Sequence, residues 1–124
     1  MEGIKDKLTP EALGQFTGTM QYYKHRTGSL VYTDGVQFLG ANGAYWIIDL
    51  VASYQTADLL AKVPFQVWKV RRTEAGGFLA VLEDGNGGEV LRQEGEYTDL
   101  PIDIDVWVQA DATFKAVAML PSEY

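Results

Sequence analysis

Asp49 is the side chain whose surroundings raise the chemical question most sharply. It lies in YTDGVQFLGANGAYWIIDLVASY, residues 32–54, beside Tyr45, Trp46 and Ile48. A carboxylate in such apolar company needs a donor, and a tyrosine hydroxyl, His25 or Arg26 could supply it, because an unpaired buried charge is costly. Acid–base work in a hydrolase would require Asp49 and His25 to lie within about one bridging water of each other. A structural role requires only that the donor be present, and the residue types favour that role.

Other routes to catalysis are thin. His25 is the sole imidazole, which removes catalytic designs built on several histidines and most zinc sites. Ser29, Ser53 and Ser122 show no nucleophile-elbow pattern, and no local motif pairs one of them with His25. The absence of cysteine excludes disulfides and thiolate metal sites and fits a cytoplasmic location. DGNGGE, 84–89, begins like a calcium loop, but Glu89 stands where glycine belongs and Gly95 where the bidentate glutamate belongs, so a hairpin turn is the simpler reading. GVQFLGANG, 35–43, has the glycines of a phosphate loop without its Lys and Ser/Thr. Asp103 and Asp105 alternate as a solvated strand face does. No catalytic residue, metal ligand or cofactor is assigned.

Two binding surfaces are expected instead. The chain carries a net charge of −7, divided as −1 over residues 1–62 and −6 over 63–124. Residues 83–111 hold nine acids against Arg92 alone. Such a stretch repels phosphate backbones, so direct nucleic-acid binding is disfavoured and a basic protein partner is favoured. Glu94, Glu96, Asp99, Asp103, Asp105 and Trp107 are its expected contact residues. One version makes the carboxylates a nucleic-acid mimic; a plain acidic surface that aids solubility is the blander account. The second surface is a ligand cleft walled by Tyr22, Tyr32, Trp46, Asp49 and Tyr54, since pockets combine apolar walls with a few polar tips.

The elements that must position these groups read as α+β. Thr9 before Pro10 starts a short helix to about Phe16, TMQYYKH suits an extended segment, and RTGS a turn. Thr33 or Asp34 caps a helical piece through Leu39, which Gly40 and Gly43 interrupt. From Ala44 to about Lys62 the apolar residues recur at three- and four-residue spacing, predicting one long core helix ended by Pro64. Thereafter FQVWKV, FLAVLE, EVLRQE, IDIDVWVQ and FKAVAML alternate with period two, predicting a mainly antiparallel meander of about four to five strands under that helix. At 124 residues and 47% hydrophobic content, residues 1–124 are expected to form a single domain. The charged start MEGIKDKLTPEAL is unlike a signal peptide, and no run reaches the roughly 20 apolar residues that span a bilayer. Edge strands with an exposed Trp68 or Trp107 could seed a two-fold homodimer.

At YYKH, LVYTDGVQFL, GAYWIIDLVASYQ, FQVWKV, EDGNG, EYTDLP and MLPSEY the chain resembles an uncharacterised family of small bacterial, plasmid and phage proteins known only as a domain of unknown function. The resemblance spans nearly the whole chain. It implies a mobile-element setting, in which small acidic proteins act on host or competitor machinery, and brings no reaction, cofactor or catalytic residue. The leading expectation is therefore a non-enzymatic interaction module, ahead of a small-molecule binder, with a hydrolase using Asp49 and His25 last.

Overall fold

A computed structural model describes residues 8–124; the charged opening MEGIKDK lies outside the described residues. The chain runs through α1 (Pro10–Gly14), β1 (Tyr23–Lys24), β2 (Val31–Tyr32), α2 (Asp34–Leu39), a wide turn over Gly40–Ala44, α3 (Tyr45–Ser53), α4 (Ala57–Lys62), and then β3 (Phe65–Arg72), β4 (Phe78–Glu83), β5 (Glu89–Gly95), β6 (Ile104–Asp111) and β7 (Lys115–Met119). The class is α+β, as the pattern predicts.

The sheet differs from the expected meander. It has seven strands in the order β1-β2-β7-β6-β3-β4-β5, and β2 runs parallel to β7 while the other neighbours are antiparallel. The two additional strands, β1 and β2, are two residues each, too short to leave an alternation in the sequence. Their existence is owed to β7, whose Val117 and Ala118 sit opposite Val31 and Tyr32.

Alternation sorts the long strands into two faces. Ile104, Val106 and Val108 of β6 align with Val70, Trp68 and Gln66 of β3, all buried beneath α2 and α3, whose Val36, Leu39, Ile47, Ile48 and Val51 complete the core. The opposite face is not covered by α2 or α3; the single 3-10 turn Pro121–Glu123 reaches it at one end, where Tyr124 packs on Phe65 and Trp107. Trp68 is fully buried rather than exposed, so it offers nothing to a dimer surface.

The expected single helix over 44–62 is two helices. α3 stops at Ser53 because side chains take its last carbonyls: Ser53 Oγ donates to Leu50 at 2.6 Å and Gln55 Nε2 to Val51 at 3.1 Å. Thr56 then starts α4 by accepting the Leu59 N–H at 3.1 Å. Gln55 turns inward to exchange amide hydrogen bonds of 2.8 and 2.9 Å with the fully buried Gln66, which also accepts Trp68 Nε1 at 2.9 Å. Every polar group of this core pair is satisfied, as its burial demands. At the other end of α3, Gly43 adopts φ +99°, a left-handed angle that lets the chain bend between α2 and α3.

Glu123 locks the sheet to the helices. Its Oε1 accepts the Thr33 hydroxyl at 2.6 Å and the Leu120 N–H at 2.9 Å, and Oε2 accepts the Gly35 N–H at 3.0 Å. Thr33 caps α2, so one carboxylate binds the first turn of that helix to the segment following β7. Gly35 admits it: a Cβ there would stand 2.6 Å from Oε1. Glu123→Ala is expected to cost about 2–3 kcal/mol, since it strips charge-assisted bonds and orphans the Thr33 hydroxyl. A urea midpoint unchanged from the parent protein would contradict this.

Candidate functional site

β1 and β2 are joined by the turn His25–Leu30, and His25 is 2% exposed. The Thr27 N–H points at His25 Nδ1 from 3.2 Å, which makes that nitrogen an acceptor and assigns the proton to Nε2. Nε2 then donates to Asp49 Oδ1 at 2.7 Å. The Tyr45 ring stacks on the imidazole with a 6.2 Å centroid separation. Arg26 Nη2 lies 3.5 Å from Asp49 Oδ2, on a guanidinium 73% exposed. The network continues through Thr27 Oγ1, 2.8 Å from Nδ1 and 2.9 Å from Ser29 Oγ, which donates to the Ala52 carbonyl at 3.1 Å. Asp49 and Ala52 are one turn apart on α3, so the hairpin is stitched to that helix at two points.

The chemistry of this node follows from access. Asp49 and His25 touch, well within the separation that acid–base work requires. Both ring nitrogens are nevertheless engaged, and the imidazole is buried, so neither faces a substrate-sized space. Thr27 is the one hydroxyl next to the ring, but its own N–H competes for the same Nδ1 lone pair. The arrangement holds a turn in place.

The five expected ligand-binding residues do not share a cavity. Tyr32 is buried, stacked on Tyr23 at 5.6 Å, with its hydroxyl 3.4 Å from that of Tyr45. Trp46 packs on Phe78 at 4.6 Å. Tyr54 packs on Trp68 and donates its hydroxyl to Gln93 at 2.7 Å. Asp49 is committed to His25. Tyr22 alone lines a cleft, of about 620 Å³, with Lys24, Thr27, Phe114 and Lys115 among the other walls.

The expected partner-binding set is divided. Asp103 Oδ1 accepts the Arg72 N–H at 2.9 Å, with Arg72 Nε 3.7 Å away, and Asp105 Oδ1 accepts Arg71 Nη1 at 2.6 Å. Glu83 pairs with Lys69 at 3.0 Å and Glu89 with Arg92 at 2.6 Å. The Arg92 hydrogen bond holds the Glu89 carboxyl below its ordinary range. Asp84 is held low by the Asn86 and Gly88 N–H groups, which it accepts inside the hairpin turn. Asp103 and Asp105 are thus each paired with an arginine, Asp103 while half exposed and Asp105 while partly buried. Glu94 lies exposed on the edge strand β5, and Glu96 and Asp99 are exposed just beyond it.

Trp107 is set apart from these acids. It stands on the face opposite α2 and α3, packed against Val31, Val117 and Met119, with its ring 5.5 Å from Phe65 and 5.4 Å from Tyr124, themselves 5.3 Å apart. Val67 lies directly opposite Trp107, and Lys69 opposite Asp105. Phe65, Lys69, Arg71 and Tyr124 were not among the expected site residues. The alternation of FQVWKVRR carries the signal for three of them, since odd positions share the face of Trp107.

Among the described residues no group of three or more His, Asp or Glu is placed to hold a metal ion, and no helix is long and apolar enough to cross a membrane. The class is that of a small α+β protein whose mixed sheet carries α2 and α3 on one face. Residues 7–124 match a family of unknown function, DUF6876, and the chain belongs to it. Neither a curated protein nor a solved structure matches the chain.

Asp49→Ala is expected to cost about 1–3 kcal/mol and to speed amide exchange at His25 and Gly28, whose N–H groups close the hairpin. Arg26→Ala should stay within about 0.5 kcal/mol, its pair being exposed. Equal losses in urea titrations would refute the assignment of His25 as the principal partner. Tyr32 supplies a pH test. Burial, followed by the bond to Tyr45, pushes its phenol up to about 12 from the ordinary 10.0. Its contribution is present in full below the unfolded value and is lost as pH rises towards the folded one. Tyr32→Phe should therefore flatten the decline of stability between those two values, read as urea midpoint against pH.

Proposed function

We propose that this chain is a non-enzymatic interaction module that docks a basic protein partner on the face of its sheet opposite α2 and α3. The observation that carries the reading is the mutually packed trio Phe65, Trp107 and Tyr124, with the pairs Lys69–Glu83 and Arg71–Asp105 further along the same face. Aromatic anchors and arginine are the residue types on which protein interfaces concentrate their energy. Tyr124 is 70% exposed, leaving an aromatic surface for a partner to cover.

The choice of a basic partner rests on the net charge of −7 and on Glu94 and Glu96 at the β5 side of the sheet. These acids would steer encounter, with Trp107 supplying most of the affinity. Asp103 and Asp105 contribute less than a phosphate mimic would need, because each already serves an arginine. The mobile-element setting implied by the resemblance fits a DNA-handling host protein, whose nucleic-acid groove is basic.

The test is affinity capture from native lysate at low and high salt with the parent protein, Trp107→Ala, Tyr124→Ala and Glu94→Lys/Glu96→Lys. One basic protein retained by the parent should be lost at least tenfold with each aromatic variant. It should be weakened by the charge reversal and by salt. Tyr124→Ala removes an exposed ring and covers the case in which Trp107→Ala loosens the sheet. Equal retention by both aromatic variants, or a salt-resistant homodimer formed through this face in sedimentation, would overturn the proposal.

A further inference from the structure

We infer that the cleft beside β1, β2 and the β6–β7 turn is a binding site for a small aromatic anion. Its volume, about 620 Å³, lies in the range of small-ligand pockets. Lys24 and Lys115 reach it from different strands, and no carboxylate lines it. Neither lysine forms an ion pair among the described residues, in a protein where Lys62, Lys69, Arg71, Arg72 and Arg92 all do. Two unclaimed ammonium groups on one concavity of an acidic protein are a receptor for an anion.

The ring preference comes from Tyr22 and Phe114. They stand 5.4 Å apart at the cleft and are 53% and 39% exposed, so their faces are not consumed by the core. A planar ligand can pack against them while its charged group meets the lysines.

Lys115 gives a separate observation. Its φ of +66° is the only positive value at a non-glycine residue among the described residues. A glycine would adopt this angle without strain, whereas a lysine is strained there by its Cβ. The turn is held rigid by Asp111, whose Oδ2 accepts the Thr113 and Phe114 N–H groups at 2.8 Å each. The opposite wall, Thr27 and Gly28, is fixed by the His25–Asp49 node. A strained lysine on a wall fixed by hydrogen bonds presents its ammonium to the cleft with little left to order on binding.

The test titrates 15N-labelled protein with phenyl phosphate, phenol and inorganic phosphate by NMR. Phenyl phosphate should shift the amides of Thr27, Gly28, Phe114 and Lys115 with a Kd below about 1 mM. Phenol and inorganic phosphate, each carrying half of the chemistry, should bind at least tenfold more weakly. Lys115→Gly should raise the thermal midpoint by about 2–4 °C while weakening phenyl phosphate at least tenfold. Lys24→Gln should weaken it without raising the midpoint. The inference is overturned if no saturable shift occurs at these residues, if inorganic phosphate binds as tightly as the ester, or if Lys115→Gly leaves affinity unchanged. It does not depend on the interface reading, which other residues carry.

Discussion

The architecture depends on β7 sliding between β2 and β6, with Glu123 sealing the join. β1 and β2 are two residues each, and a two-stranded hairpin of that size is not stable alone. Pairing with β7 makes them part of a seven-stranded sheet, and the Glu123 carboxylate then fastens α2 to the same corner. Everything contributed by the N-terminal half to a binding surface, including the His25 turn and one wall of the cleft, inherits its position from that insertion. The His25–Asp49 bond refines the placement by holding the turn against α3.

Features written locally in the sequence were legible. Thr9 and Thr33 cap helices where their spacing places them, and β3 to β6 fall on alternating runs, because caps and strand alternation depend on near neighbours. Features decided by distant partners were not. The helical spacing over 44–62 does not reveal a break at Tyr54–Thr56, since Gln55 leaves the helix to meet Gln66 across the core. Trp68 and Trp107 look alike by composition yet occupy opposite faces, which the parity of each strand decides.

Charge shows the same limit in a different form. Counted along the chain, the charged residues of 83–111 are all acids except Arg92. Antiparallel pairing then sets β3 beside both β4 and β6, which brings Lys69, Arg71 and Arg72 within ion-pair distance of Glu83, Asp105 and Asp103. A linear tally cannot see this, because the neutralising cations precede the window by more than ten residues. Of the acids that remain, Glu94 and Glu96 lie on the β5 side of the sheet and Asp111 at the β6–β7 turn, with the aromatic trio closer to the sheet's centre.

The carboxylate of Glu123 reaches Gly35 across 88 residues of chain. A contact of that span makes the fold slow to close, because the entropy of a long loop is lost before the contact rewards it. Until β2 arrives, the β6–β7 hairpin carries an unsatisfied edge along β7, rich in alanine and valine and able to pair with another molecule. The strand that gives the mature protein its continuity therefore leaves the half-folded chain open to aggregation, and chaperone demand during its production should track how quickly that one gap is filled.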